Sequence, residues 1–491
     1  MLRPHTTLAA TLACATLAVG TSSLGGSASA EPTEGSPLAL WAPDRVEATA
    51  WHGRVFSDFG VRVTAPTASF ELWSNRPSYD EPIQTEWRAA DGTLIRQLAD
   101  GTMSDFSGMP YFLQLTVSRV SDGVVVRQRS QTACLNGRSQ RIDPDAPARS
   151  PYPQGCPWNP YTLGSVMGIQ QGHAVNVGDM WGRPMRLEPG RYDVTSAIAP
   201  AYAEMFGIAP ADATRTTRLL VTDVRARSRA RLATAKASTA PAAETASPAA
   251  RAPVAAAAGE VPETQPDLRS LPAFGAKLNG NGTMLRFSAT VWNGGDSPMV
   301  VDGFRNADAD HLDAYQYFFD AEGNETGHQL VGQMHWHADN HNHWHFEDFA
   351  QYSLLGADQT EVVRSTKQSF CLANTDAVDY TRPGADWNPS NTDLASECGE
   401  QDAVSVREVL SAGSGDTDTQ YRAGQAFPIK NLPNGVYWIK VAANPFANLV
   451  ESDSTNNDSL RKVGIGGTPT NRWVKSPQVG IIDESLAGFL G

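Results

Sequence analysis

Cysteine is scarce in this chain, at five in 491 residues, and no two cysteines stand in a C-x-x-C spacing. A cysteine-based metal or catalytic centre is therefore not expected. Long hydrophobic runs are also missing: the longest, Leu8 to Val19, is too short to cross a bilayer as a permanent anchor. Basic residues are outnumbered, 39 Lys and Arg against 53 Asp and Glu, for a net charge of −14. That balance argues against nucleic acid and anionic membrane surfaces as partners. It favours the approach of cationic substrates such as amines or lysine-rich proteins, although solubility alone accounts for it.

What is present begins with an address. Arg3 precedes the Leu8–Val19 run, and a small-residue stretch then ends in Ala28-Ser29-Ala30. This is the pattern of a secretory signal peptide over residues 1–30, with cleavage expected after Ala30 and a secreted mature chain. Cys14 lies inside the run but lacks a lipobox, because Thr11 stands where a leucine would be wanted. Four cysteines remain after cleavage, Cys134, Cys156, Cys371 and Cys398, an even number that reads as disulfides in an exported protein. Of the three possible connectivities, the domain division below favours Cys134–Cys156 with Cys371–Cys398.

Residues 225–263 change character to Ala, Pro, Thr and Ser, with prolines at 241, 248 and 253. Such a stretch buries too little apolar surface to offset chain entropy and reads as a disordered linker. It separates an N-terminal domain of unknown role, 36–224, from a second domain, 264–491. The 32 prolines and 42 glycines signal many turns, and both halves carry short alternating strands: SFELWSNR and FLQLTVSRV in the first, LRFSATVWN and GVYWIKVAA in the second. The expected fold class is mainly β, two β-sandwich-like domains joined by the Ala/Pro-rich linker. A weak echo links them. Leu187-Glu-Pro-Gly-Arg-Tyr192 resembles Leu432-Pro-Asn-Gly-Val-Tyr437, each a turn glycine feeding a strand with tyrosine near its start.

Five of the ten histidines crowd into HWHADNHNHWH, residues 335–345. On a strand, His341, His343 and His345 project to one face. Imidazole suits Cu, Zn, Ni or Fe, and a three-histidine face leaves coordination positions open, as in a catalytic metal centre. Spacing alone does not separate copper from zinc. His335 and His337 share the parity, but Ala338-Asp339-Asn340 reads as a turn, which leaves them beside the triad or unrelated to it. Trp336, Trp344 and Phe346 read as packing around the strand. A three-histidine zinc hydrolase would need a general base, and neither Glu347 nor Asp339 is well placed for it.

Downstream follow FEDFAQYSLL, KQSFCLANT, SGDTDTQYRAGQAF and NGVYWIKVAANP…LVESDSTNN. In that order, and after the H-x-H-x-H strand, they resemble the lysyl oxidase family, copper amine oxidases that carry a lysyl–tyrosyl quinone. The resemblance runs from about Leu285 to Asn457, and nothing in the first half shares it. It implies that His341, His343 and His345 bind copper, that Lys367 supplies the amine of the quinone, and that Cys371 is a disulfide cysteine. It further implies a primary amine or lysine-containing protein as substrate and molecular oxygen as oxidant. Two places depart from the family. Asp418, in Asp416-Thr417-Asp418, stands where the quinone tyrosine is wanted, which turns attention to Tyr421, with Tyr380 and Tyr352 as further candidates. Gln351 replaces the histidine proposed as base in vertebrate members, a role Asp418 could take. The alternative reading is a non-catalytic copper-binding or surface-interaction protein that lost its quinone tyrosine.

Overall fold

The computed structural model describes residues 35–178, 184–223, 262–305, 310–337, 342–365, 369–388, 398–419, 425–468 and 471–485. The signal segment and nearly all of the linker lie outside them. The chain is mainly β, and among the described residues the helices are two short ones, Pro200–Phe206 and Pro210–Ala213. Each begins with proline at a position where its missing N–H costs nothing.

Residues 35–223 form three sheets of four or five strands and one two-stranded pair around a core that includes Phe70, Phe112, Val194 and Leu219. The second half is built from one six-stranded and two five-stranded sheets. Its core draws on all three: Phe287 and Phe427 from the first, Met334 and Trp344 from the second, Tyr352 and Ile439 from the third. Alternation explains the layering. In Gly190–Ile198, every second residue from Tyr192 onward is buried, so one face goes to the core and the other to solvent.

The echo between the halves has a structural counterpart. Gly190–Ile198 lies between the next strand in sequence and the first strand of a hairpin, and Gly435–Ala443 lies in the same four-strand order. Tyr192 donates its hydroxyl hydrogen to the Glu188 carbonyl at 2.7 Å, and Tyr437 to the Pro433 carbonyl at 2.8 Å. Both are tyrosine corners, in which a phenol ties a strand start to the turn that feeds it. The fifth strand differs: Arg45–Ala50 joins parallel in the first half, whereas Asn471–Lys475 joins antiparallel in the second.

The halves are docked. Leu163 N–H donates to Val378 O at 2.7 Å, Tyr380 N–H to Gly164 O at 3.0 Å, and the Asn159 amide to Thr290 Oγ1 at 2.8 Å. Tyr161, Leu271, Phe274, Trp292, Val378 and Ile482 make a small core with members from both sides. Gly164 is required at this seam, because a Cβ there would strike Asp379 Oδ1 and Thr381 Oγ1. Both disulfides are those favoured by the sequence, Cys134–Cys156 and Cys371–Cys398. Asp453, Asn456 and Asn457 are turn residues, and Asn456 reaches Asp267 while Asn457 reaches Glu451.

Candidate metal centre and active site

The histidine stretch folds as an antiparallel hairpin. Strand Glu325–His337 pairs with His343–Phe346, with His335 opposite His345, Trp336 opposite Trp344 and His337 opposite His343. The triplet HWH thus pairs with its own repeat, and Asn342 closes the turn with φ 53°, a left-handed conformation asparagine tolerates. Alternation puts Met334, Trp344 and Phe346 in the core and four imidazoles on the other face. The rings of His337 and His345 stack with centroids 4.4 Å apart, and those of His343 and His345 lie 4.8 Å apart. His311, on the next strand, is paired with His335 and extends the row.

His345 is buried at 2% exposure and tied to Ser369, whose Oγ lies 3.2 Å from His345 Nδ1 and 3.1 Å from His337 Nε2. One hydroxyl has a single hydrogen, so it donates to one ring nitrogen and accepts from the other ring's N–H. The contact fixes both ring orientations. The hairpin is clamped at its edges. Phe346 and Phe370 exchange backbone hydrogen bonds at 2.7 and 2.9 Å, and Trp344 N–H donates to Cys398 O at 2.9 Å. The Cys371–Cys398 disulfide joins the two clamping segments. The Arg305 guanidinium sits 4.6 Å over the Trp344 ring, whose indole N–H donates to Glu400 O.

Of the residues expected to carry chemistry, His343 and His345 are on the shared face as anticipated, while His341, Lys367 and Tyr421 lie outside the described residues. Ser369 stands two positions after Lys367. Asp418 ends strand Ser414–Asp418, and its Oδ2 accepts the Tyr352 hydroxyl at 3.3 Å. Burial, with the charges of Asp418 and Asp416 behind it, holds the Tyr352 phenol well above its ordinary pKa. Tyr352 packs edge-on against Phe370, the residue bridged to the histidine strand, so Asp418 and His345 are joined through Tyr352, Phe370 and Phe346. Tyr380 is directed elsewhere, to Ser414 Oγ at 3.3 Å. His337 and Ser369 are the residues that strand parity alone did not assign. The repeated HWH triplet is the signal that points to His337, since an antiparallel hairpin centred between its copies stacks them.

Among the described residues, the metal-like trio with converging donor atoms is Cys371, Cys398 and Glu408. It does not bind an ion, because both sulfurs are spent in the disulfide. Glu408 accepts Leu372 N–H at 2.9 Å, and burial raises its carboxyl well above the usual range.

Residues 320–473 match the lysyl oxidase family. The similarity expected from the motifs thus holds for the C-terminal half. Lysyl oxidase homolog 3B of Danio rerio is 32% identical over 123 residues, covering 25% of this chain and 13% of that protein. Lysyl oxidase homolog 2 of Bos taurus is 28% identical over 194 residues, 38% of this chain and 19% of its own length. Lysyl oxidase homolog 2 of Gallus gallus is 31% identical over 126 residues, 25% and 14% respectively. The chain therefore spans under a fifth of the relatives it matches. No helix among the described residues is long and apolar enough to cross a membrane.

Proposed function

We propose that the chain is a secreted, copper-dependent oxidase of primary amines or peptidyl lysine. Amine, oxygen and water would give aldehyde, ammonia and hydrogen peroxide. The observation that carries this reading is an imidazole face, organised by one serine hydroxyl, inside a domain that matches the lysyl oxidases.

The donor set fits copper. His343 and His345 share a face, His341 extends their sequence alternation, and imidazole is a good ligand for Cu(II). An ion held by His345 together with the Ser369 contact would be bound through Nε2, a case of a hydrogen-bond partner fixing a ligand's tautomer. Position 418 does not fit the quinone, because aspartate has no ring to oxidise. Tyr352 does not fit either: at 1% exposure between Phe287 and Phe370 it is closed to any substrate. Our reading therefore assigns the ring to Tyr421 and the amine to Lys367. When bound, copper with such a quinone would supply the oxidising power and the electrophilic carbonyl that amine oxidation needs. Asp418, steadied by the Tyr352 hydroxyl, is the carboxylate we assign to accept the substrate's α-proton.

Asp418 also supports a second reading, a non-catalytic copper-binding or surface-interaction protein. One experiment separates the two. The mature chain is expressed with copper, digested, and searched by mass spectrometry for a Lys367 peptide joined to a tyrosine peptide. A Lys367–Tyr421 link supports the oxidase, whereas unmodified Lys367 in folded, copper-loaded protein rejects it and favours the binding protein.

A further inference from the structure

A pocket of about 680 Å³ opens in the first half, lined by four arginines, Arg119, Arg127, Arg186 and Arg191. Glu188 is the one acid in the lining, and no lysine accompanies it. Strand pairing gathers these residues: Arg119 lies opposite Tyr192, Arg127 lies opposite Val117, and the Val120 N–H donates to Arg191 O at 3.1 Å. Arg186 arrives on the short strand Met185–Arg186, which pairs with Arg54–Val55. Arg119 is engaged by Asp122, at 2.6 Å. Among the described residues, Arg127, Arg186 and Arg191 have no carboxylate partner and Glu188 makes no ion pair, whereas Arg45, Arg62, Arg88 and Arg218 of the same half each lie within 3.3 Å of a carboxylate. In a chain of net charge −14 this cavity is a local exception. Like charges gathered round one cavity repel, and an anion in their midst turns that repulsion into binding.

We propose that this pocket binds a small organic phosphate monoester. Guanidinium groups present paired N–H donors that match the oxygens of a tetrahedral oxyanion, often two at a time. Charge selects the ester. Three unpaired guanidinium charges less the one carboxylate of Glu188 leave two positive charges in the lining. A phosphate monoester, close to a dianion at neutral pH, balances them, whereas a sulfate ester or a carboxylate leaves one unmet. The lining also offers apolar surface for the carbon body. Leu187 and Tyr192 are buried side chains, and half-buried Val126 packs against the core of this half. These walls are fixed from behind: the Leu187 N–H donates to Gly53 O at 3.3 Å, and the Tyr192 phenol is held by the Glu188 carbonyl. A metal cation is repelled by the arginines. A nucleic acid or an anionic membrane would also press against the acidic remainder of the molecule, while a small ester meets the pocket alone. No residue of this site belongs to the half that carries the histidine face, so the proposal does not depend on the oxidase reading.

The test is calorimetric titration of the full mature chain with phenyl phosphate, phenyl sulfate and inorganic phosphate, beside sedimentation with phosphatidylcholine vesicles containing phosphatidic acid. Saturable one-to-one binding of phenyl phosphate is expected, with phenyl sulfate and inorganic phosphate each at least threefold weaker. Arg186→Ala/Arg191→Ala should weaken phenyl phosphate at least tenfold. Arg286→Ala/Lys430→Ala, which removes the same charge from exposed positions in the second half, should leave it unchanged. Absence of phenyl phosphate binding in the parent chain overturns the proposal, including the case in which only the vesicles bind. So does unchanged affinity in Arg186→Ala/Arg191→Ala, an equal loss in Arg286→Ala/Lys430→Ala, or equal affinity for phenyl sulfate or inorganic phosphate. Near-ultraviolet circular dichroism checks that each variant is folded, and Arg127→Ala, with the same tenfold expectation, replaces the double arginine variant if it is not.

Discussion

At the scale of single residues, Ser369 and Asp376 carry the clearest expectations. If the histidine face binds copper, Ser369→Ala removes the hydroxyl that orients two rings and lowers copper affinity on the order of 10- to 100-fold, whereas His343→Ala/His345→Ala abolishes it. Equilibrium dialysis with metal analysis reads both; equal affinity in Ser369→Ala would remove the serine from the centre. Asp376 makes a pH prediction. Its carboxyl is raised from 3.8 to about 7 chiefly by burial, so between those values the folded chain keeps a proton that the unfolded chain has lost. Its contribution to stability is therefore fully present below about pH 4, declines as pH rises to about 7, and is flat above. Three units correspond to a ceiling of about 4 kcal/mol. Denaturant unfolding at pH 4.5, 6 and 7.5 should show a shallower decline in Asp376→Asn than in the parent. Asp376 was invisible in the sequence, where it is one acid among 53 Asp and Glu. Its character comes from its burial in the folded chain.

At the scale of elements, the histidine hairpin and the tyrosine corners show how far local pattern reaches. Strand alternation was enough to place His343 and His345 on one face and Trp344 and Phe346 on the other, because a pleated strand has a strict period of two. It could not assign His337, because that depends on the register with which one strand meets the next. The two corners rest on a single phenol hydrogen bond each, so Tyr192→Phe and Tyr437→Phe should each cost about 1–3 kcal/mol, with the acceptor carbonyl left unpaired. Chemical denaturation measures this, and a change within error for both would show that the turns hold without them. The Cys371–Cys398 bridge, 27 residues apart, closes the two segments that flank the histidine strand. Cys371→Ser/Cys398→Ser is expected to lose roughly 3 kcal/mol or somewhat more on chain-entropy grounds. Loss of copper binding at temperatures where the fold persists would show that the clamp also serves the centre.

For the whole molecule, the docking seam decides how the halves behave. Gly164 has no room for a side chain beside Asp379 and Thr381, so Gly164→Val should part the seam while leaving each half's own core intact. Scanning calorimetry of the full chain is expected to resolve two transitions in that variant where the parent gives one; a single unshifted transition would show that the seam yields. The sequence by itself determined the mainly β class, the lysyl oxidase resemblance of the second half, both disulfides and the shared face of His343 and His345. These rest on composition, local periodicity and motif order, which act over a few residues at a time. Tertiary structure alone decided that Ser369 joins His337 to His345, that Asp418 meets a buried Tyr352, that each half divides its strands among several sheets, and that Asp376 is buried beside a pocket lined by both halves. Those facts depend on residues from 24 to more than 200 positions apart coming into contact, and no local pattern encodes where distant strands will pack.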